Sequence, residues 1–416
     1  MIIETSVENY LSIKDKIIFS LESSSSKRLL DNLIKVDEKT NILKSAAIYG
    51  ANSSGKSNFI KSLFFIWYMV KNSHNLNIDA KIPRVPFKLN DIFLRKPSKF
   101  ELIFIYNNIK YQYGFSCNEQ EFIEEYLFYW PKGRKAQIFH RKNTTEYNFK
   151  IDRKRQELIK SQMNKNVLYL SRATQLGYDK TKDVYNFIIN SIVINYSPIW
   201  ADFTIKKIHE DEKVKQMVIE VLQKADFGGI QGIRINKEKK KFKGVELKLD
   251  KRGTYLNPIP IEEKEEDFYD IKFLHSNEHG KEVELNYQEE SEGTKKTLAM
   301  LGWIFDILQN GKTVFIDEIE ASLHPNIIKF LVKMFNNKNN KKAQLVFTTH
   351  NTNLLDNQLF RRDQIYICTK EPNKNTLMNS FLDYELREGV DFEKAYLDGR
   401  VGGLPFIDET FFDQKW

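Results

Sequence analysis

The stretch Gly50-Ala51-Asn52-Ser53-Ser54-Gly55-Lys56-Ser57 constrains this chain more than any other, because it fills every fixed position of the pattern G-x-x-x-x-G-K-[ST]. Glycines let the backbone turn its N–H groups inward, and the helix that follows presents unpaired N–H groups at its start, so phosphate oxygens find donors without a bulky side chain between them. Lys56 supplies a compact positive charge for the β- and γ-phosphates, and the Ser57 hydroxyl a ligand for Mg²⁺. Such a loop works only between a strand and a helix. The flanks agree: Asn41 to Tyr49 reads as a strand, and Asn58 to Lys71, with no Gly or Pro and many large apolar residues, reads as a helix packed on a sheet. The expected nucleotide contacts are Gly50, Asn52, Ser53, Ser54, Gly55, Lys56, Ser57 and Asn58, with ATP and Mg²⁺ as the bound groups.

A phosphate loop needs a second metal ligand and a group that readies water. Thr313-Val314-Phe315-Ile316-Asp317-Glu318 is an apolar strand ending in two acids. Asp317 is placed to hold Mg²⁺ together with Ser57, and Glu318, one residue on and expected on the other side of the strand end, is the candidate catalytic base. Gln344-Leu345-Val346-Phe347-Thr348-Thr349-His350 reads as a further strand, whose terminal His350 stands at the carboxyl edge of a parallel sheet as a γ-phosphate sensor. Upstream, Glu290-Ser291-Glu292-Gly293-Thr294 precedes the apolar helical stretch Thr297 to Leu308. Ser291 and Gly293 at a helix N-terminus suit an anion, and since the chain already has a phosphate site at residues 50–57, that anion is expected to belong to a second subunit.

The remaining sequence divides by texture. Val7 to Ile13 and Lys16 to Leu21 are β-type runs. From Phe100 to Trp130, aromatic and β-branched residues dominate, with Asn107-Asn108 at the place of a hairpin turn, so an antiparallel β arm is expected. From Asp152 to about Phe227 the chain reads as a helical insertion, with Val214, Met217, Val218, Val221 and Leu222 on one helical face and no heptad repeat long enough for a coiled coil. Lys237 to Asn286 returns to charged strands, with Glu262 to Asp267 as an acidic loop. The expected division is therefore an N-terminal ATPase lobe over residues 1–150, a helical insertion over 151–235 and a C-terminal lobe over 236–416.

With 41% hydrophobic and 29% charged residues, the composition is that of a globular protein. The first residues lack a basic segment followed by an apolar run, and the longest apolar stretch, Leu63 to Val70, falls short of a membrane span, so a cytoplasmic location without membrane association is expected. The two cysteines, Cys117 and Cys368, exclude a disulfide framework. A net charge of +8 and clusters at Lys132 to Lys135, Arg141-Lys142, Arg153 to Arg155 and Lys237 to Lys243 make nucleic acid one candidate partner, although such clusters are more often solvated faces.

In the order phosphate loop, Ser291-Glu292-Gly293, Asp317-Glu318, Ser322-Leu323-His324-Pro325 and Thr348-Thr349-His350, the chain resembles ABC/SMC-like ATPases of the AAA group. More narrowly, with Arg361-Arg362-Asp363-Gln364-Ile365 as a strand entry, it is similar to bacterial ATP-binding proteins of the RloA/AbiL type, related to the ATPase part of overcoming-lysogenization-defect (OLD) proteins. The fold class this implies is α/β, a P-loop NTPase of ABC-ATPase type with a mixed or parallel central sheet, an antiparallel β arm and a helical insertion. The resemblance further implies a homodimer or higher homo-oligomer in which Ser291 and Gly293 of one copy close over ATP held by Lys56 of the other. It also implies a separate effector protein as partner and a role in phage resistance. The signature Ser-Glu-Gly-Thr-Lys departs from the transporter-type Leu-Ser-Gly-Gly-Gln, which argues against a transporter.

Three rivals are weighed on residues. A GTPase is disfavoured because Asn337-Lys338-Asn339-Asn340 lacks the final Asp of a guanine-reading motif. A fused nuclease is disfavoured because Asp383, Glu385, Asp391 and Asp398 form no clustered carboxylate site after His350. A DNA-repair ATPase resembling RecF shares every nucleotide motif and would differ in the basic surface it offers.

Overall fold

The computed structural model describes residues 1–38, 40–195, 201–224, 229–242, 245–246, 259–260, 264–321, 323–387 and 389–405. Two compact units divide the chain: residues 1–197 with 307–416, and residues 198–306.

In the first unit, β1 (Ile2–Glu8) and β2 (Ile17–Ser20) are followed by β3 (Leu33–Lys35) and β4 (Asn41–Leu43), which form a two-stranded sheet. Next come β5 (Ser45–Tyr49), the helix α1 (Lys56–Asn72), the short α2 (Asp91–Arg95), and strands β6 (Ser98–Tyr106), β7 (Ile109–Cys117), β8 (Phe122–Trp130), β9 (Ala136–Asn143) and β10 (Glu146–Phe149). Helices α3 (Arg153–Lys160), α4 (Tyr169–Gln175) and α5 (Asp179–Asn186) lead to β11 (Ile192–Asn195).

The second unit holds α6 (Ala201–Glu210), α7 (Glu212–Lys224), the long strands β12 (Ile230–Phe242) and β15 (Lys264–Ser276), the short pair β13 (Val245–Glu246) and β14 (Ile259–Pro260), and β16 (Glu282–Asn286). It also holds most of α8 (Glu292–Asn310). The chain then returns to the first unit through β17 (Thr313–Ile316), α9 (Pro325–Asn336), β18 (Gln344–Thr348), β19 (Ile365–Lys370), β20 (Thr376–Ser380) and α10 (Phe392–Leu397).

Two sheets organise the first unit. One runs β11-β17-β18-β5-β19-β20 and is parallel except for the β19–β20 pair; the other runs β10-β9-β8-β7-β6-β1-β2 and is antiparallel throughout. The first unit's α1 buries Phe59, Ile60, Leu63, Phe65, Ile66, Met69 and Val70. Phe65 packs on Tyr10, Phe100 and Phe115 of the antiparallel sheet and its adjoining turn, and Phe59 on Phe19. Each such side chain taken from water stabilises the fold by about 2 kcal/mol. The same core continues through Ile48, Phe315 and Val346 of the parallel sheet. Burial on both faces explains why β5, β17 and β18 read as continuous apolar runs rather than alternating ones.

Several expectations are corrected here. The β arm is wider than Phe100 to Trp130 suggests, since β9 and β10 and the N-terminal β1 and β2 complete its sheet. The first β run ends at Glu8, because Asn9 and Leu11 take left-handed φ values of 55° and 53° and turn the chain. The helical insertion is not one body: α3 to α5 belong to the first unit, α6 and α7 to the second, and between them β11 joins the parallel sheet beside β17. A short apolar run such as Ile192-Val193-Ile194 is ambiguous between strand and helix until its neighbours are known. Of the acidic loop, residues 264–267 open β15 instead, while 262–263 lie outside the described residues.

Asn107 and Asn108 do form the two-residue turn between β6 and β7, with φ of 48° and 61° as a type I′ hairpin requires. In α7, Val214, Val218, Val221 and Leu222 are buried together with Ile219, while Met217 is only half-buried.

The entry to β19 carries a buried ion pair. Arg361 Nε and Nη2 donate to Asp363 Oδ1 and Oδ2 at 2.9 and 2.8 Å, and Nη1 donates to the carbonyls of Ser26, at 2.9 Å, and Arg28. Asp363 Oδ2 also accepts from the Ser24 amide and hydroxyl, each at 2.7 Å. Both side chains are nearly inaccessible, at 1% and 3% exposure. Removing one partner leaves a buried charge uncompensated, so Asp363→Ala is expected to lower unfolding stability by about 3–5 kcal/mol, as read by denaturant melts. A loss below about 1 kcal/mol would show the pair to be replaceable by water.

Candidate nucleotide site

Parallel pairing puts the carboxyl ends of β17, β18 and β5 side by side, with Ile316 opposite Phe347 and Thr348 opposite Ile48. The Asp317-Glu318 turn, His350 and the loop 50–55 therefore share one sheet edge, where ligands of such sheets bind.

The loop is shaped by two glycines that no other residue could replace. Gly50 has φ 148°, and a Cβ there would lie 2.3 Å from the Cys368 carbonyl; Gly55 has φ 113°, and its Cβ would lie 2.2 Å from Thr376 Oγ1. Ser53, at φ 62°, completes the turn. Lys56, the first residue of α1, is 5% exposed and donates to the carbonyls of Gly50 and Ala51 at 2.8 and 3.1 Å. Burial pushes its ammonium pKa down, opposed by Cys368, Glu320, Glu318 and Asp317 in that order. The lysine and both candidate acids thus lie within electrostatic reach of one another.

The acids are held by a residue of the neighbouring strand. Thr348 Oγ1 donates to Asp317 Oδ1 at 2.6 Å and accepts the Glu318 amide at 2.7 Å. Glu318 lies beyond the end of β17 with φ 48°, a left-handed conformation that costs a non-glycine residue roughly 1–2 kcal/mol. Strand alternation therefore does not set its direction, as the sequence reading supposed; the Thr348-pinned turn does. Glu318 is exposed and Asp317 half-buried.

The other expected residues are distributed as follows. Asn52 and Ser53 are exposed, Ser57 is half-buried, and Ser54 Oγ is buried without a hydrogen-bond partner. The Asn58 amide is committed to Ser12 Oγ at 2.7 Å, and that hydroxyl also meets Thr376 Oγ1 at 2.8 Å, so Asn58 braces the wall of the loop. The His350 amide donates to Glu320 Oε1.

Ser291 and Gly293 lie in the second unit. There Ser291 Oγ caps α8 by accepting the Thr294 amide at 3.1 Å, and Gly293 is open, with only Ser291 Oγ near a notional Cβ, at 3.7 Å. His324 Nδ1 accepts from the Asn326 amide ahead of Pro325 to start α9, while Ser322 lies outside the described residues.

Sequence reasoning missed Glu320, Thr348 Oγ1 and Tyr49. Glu320 Oε2 and Tyr49 Oη, like Ser54 Oγ, are buried without partners. No periodicity marks such residues, because their roles arise only where β5, β17 and β18 meet.

Some members of the basic clusters are engaged within the fold, while others, Lys142, Arg153 and Lys154 among them, are exposed. Arg141 is buried and donates to the carbonyls of Thr144, Lys165 and Val167. Arg155 donates to Leu176 O, and Lys237 pairs with Asp267 at 2.8 Å. Lys132 and Arg134 stay exposed, and Lys243 lies outside the described residues. Asn340 donates to Phe335 O and Ala343 O within a turn, and Asp391 caps α10.

The residues present fit a nucleotide and magnesium. Gly50 and Gly55 let the loop pack directly on Cys368 and Thr376, its lysine is buried within electrostatic reach of Glu320, Glu318 and Asp317, and Asp317 and Ser57 are hard oxygen donors of the kind magnesium takes. By fold and site the chain is a P-loop ATPase.

Residues 45–356, more than half of the chain, match the family described as "AAA domain, putative AbiEii toxin, Type IV TA system", and the chain belongs to that family. No curated protein matches it. Among solved structures, an Smc head bound to the C-terminal winged-helix domain of ScpA is similar at 14% identity and TM-score 0.44, over 95% of this chain and 99% of that one. The SMC head domain from Thermotoga maritima is similar at 12% identity and TM-score 0.42, over 91% and 98%. An Smc head with an extended coiled coil, bound to the C-terminal domain of ScpA from Pyrococcus furiosus, is similar at 13% identity and TM-score 0.38, over 95% and 98%. Likeness at this level supports no statement about activity or partners. Among the described residues, no helix is long and apolar enough to cross a membrane.

Proposed function

We propose that this chain hydrolyses Mg-ATP between two copies of itself and uses the cycle to hold or release a separate effector protein, in the manner of RloA/AbiL-type defence ATPases. The observation that carries this reading is the gathering of Lys56, Asp317, Glu318 and the His350 backbone at one edge of the parallel sheet. Lys56 and the α1 N-terminus bind the phosphates. Ser57 and Asp317 hold magnesium, which when bound neutralises phosphate charge in the transition state. Glu318, exposed beyond the strand end, orients and deprotonates the attacking water, and His350 responds to loss of the γ-phosphate.

The open Gly293 at the capped start of α8 supports a second phosphate contact supplied to a partner copy. A family described by a toxin and a type IV toxin–antitoxin system accords with a defence role.

Ser291→Arg tests the shared site. It is expected to bind ATP normally yet fail to dimerise, and to depress turnover of wild-type chains when mixed with them. Normal turnover by the variant would mean that each copy works alone. Pull-down from the native context with and without ATP tests the effector. A neighbouring protein whose retention changes with ATP supports the switch. ATP-stimulated, salt-sensitive DNA binding with no such protein would favour the RecF-like reading through the exposed Lys132 and Arg134.

A further inference from the structure

Glu320, two residues beyond the candidate base, has no part in the scheme above. Its Oε1 accepts the backbone amide of His350, the second residue beyond the end of β18. Its Oε2 is buried and has no partner. Leaving a buried acceptor unpaired costs about 1–3 kcal/mol, and a fold seldom keeps such a group without a use for it. Of the three carboxylates acting on Lys56, Glu320 exerts the largest pull, ahead of Glu318 and Asp317. It also lies within electrostatic reach of the buried Tyr49 phenol, on the strand that leads into the phosphate loop.

We infer that Glu320 is a positioning residue for hydrolysis: it ties the His350 backbone to the Asp317-Glu318 turn, so that the switch and the base keep one geometry. Thr348 makes the neighbouring tie, joining Asp317 and the Glu318 amide to β18. Together the two links staple the β17 turn to the segment that ends β18. Without Glu320 the His350 amide loses its acceptor and the switch segment drifts relative to the base. Displacement of about 1 Å at a reacting centre costs up to about 100-fold in rate.

This inference rests on the proposed ATPase reading, and its test separates the two. Glu320→Ala is expected to lower kcat about 20-fold or more while leaving ATP affinity within about threefold, the pattern of a group that acts only in the transition state. Glu320→Gln keeps an oxygen for the His350 amide and is expected to hold kcat within about threefold of wild type.

Amide hydrogen exchange over residues 349–354, which needs no hydrolysis, is expected to quicken about tenfold in Glu320→Ala and to stay unchanged in Glu320→Gln. Wild-type kcat in Glu320→Ala, equal losses in both variants, a parallel loss of ATP affinity, or unchanged exchange in Glu320→Ala would each overturn the assignment. Glu318→Gln measured alongside keeps the failures apart: if it is fully active, the base assignment falls, while the exchange result still judges Glu320.

Discussion

Glu318→Gln is expected to bind ATP with wild-type affinity, lower kcat by about 10²–10³-fold and accumulate as an ATP-bound dimer. A positioned general base contributes roughly 10²–10⁴-fold, and the amide cannot take the proton. The substitution is close to isosteric, and the turn that carries it is built by backbone contacts. Thr348 Oγ1 accepts the residue's amide, and Ala321 N donates to its carbonyl at 2.8 Å, neither of which involves the side chain. The left-handed φ of 48° is therefore kept, and folding should be unaffected. Single-turnover hydrolysis with sedimentation velocity in ATP checks both parts. Hydrolysis at the wild-type rate would remove Glu318 from the chemistry and shift the search for a base to Glu320.

Lys56→Ala is expected to weaken ATP binding about 100-fold or more, read by titration calorimetry. A hydrogen bond to a charged group contributes about 1.5–3 kcal/mol, and Lys56 is placed to serve two phosphates. The ammonium donates to the Gly50 and Ala51 carbonyls of the loop. Burial pushes the ammonium pKa down, opposed by Cys368, Glu320, Glu318 and Asp317 in that order. Lys56→Arg should not restore binding, because a planar, forked guanidinium does not reproduce the compact point charge of an ammonium. Affinity within threefold of wild type in Lys56→Ala would locate the phosphates elsewhere.

The local parts of the site were legible because each is a short segment with its own chemistry. Gly50 to Ser57 carries its meaning in residue types and spacing, and Asp317-Glu318 at the end of an apolar run reads the same way. The Asn107-Asn108 turn was legible for a similar reason, since few residues tolerate φ above zero at two successive positions. The division of residues 151–306 was not. Ile192 to Asn195 is four residues of apolar and polar chain that become a strand only because β17 offers them a partner. The lysines of β12 suggest an anion surface until the register places Lys241 opposite Glu265 and Lys239 opposite Asp267.

By itself, then, the amino-acid order pointed to a phosphate loop at residues 50–57 and to two acids and a histidine as its companions, since bonded neighbours and residue chemistry carry that information. Only the tertiary structure decided that Thr348 holds Asp317 and the Glu318 backbone, that Glu320 holds His350, and that Asn58 and Arg141 serve the scaffold. The contacts of Thr348 and Glu320 join residues that the parallel sheet makes neighbours across some thirty positions, and distance along the chain carries no trace of them.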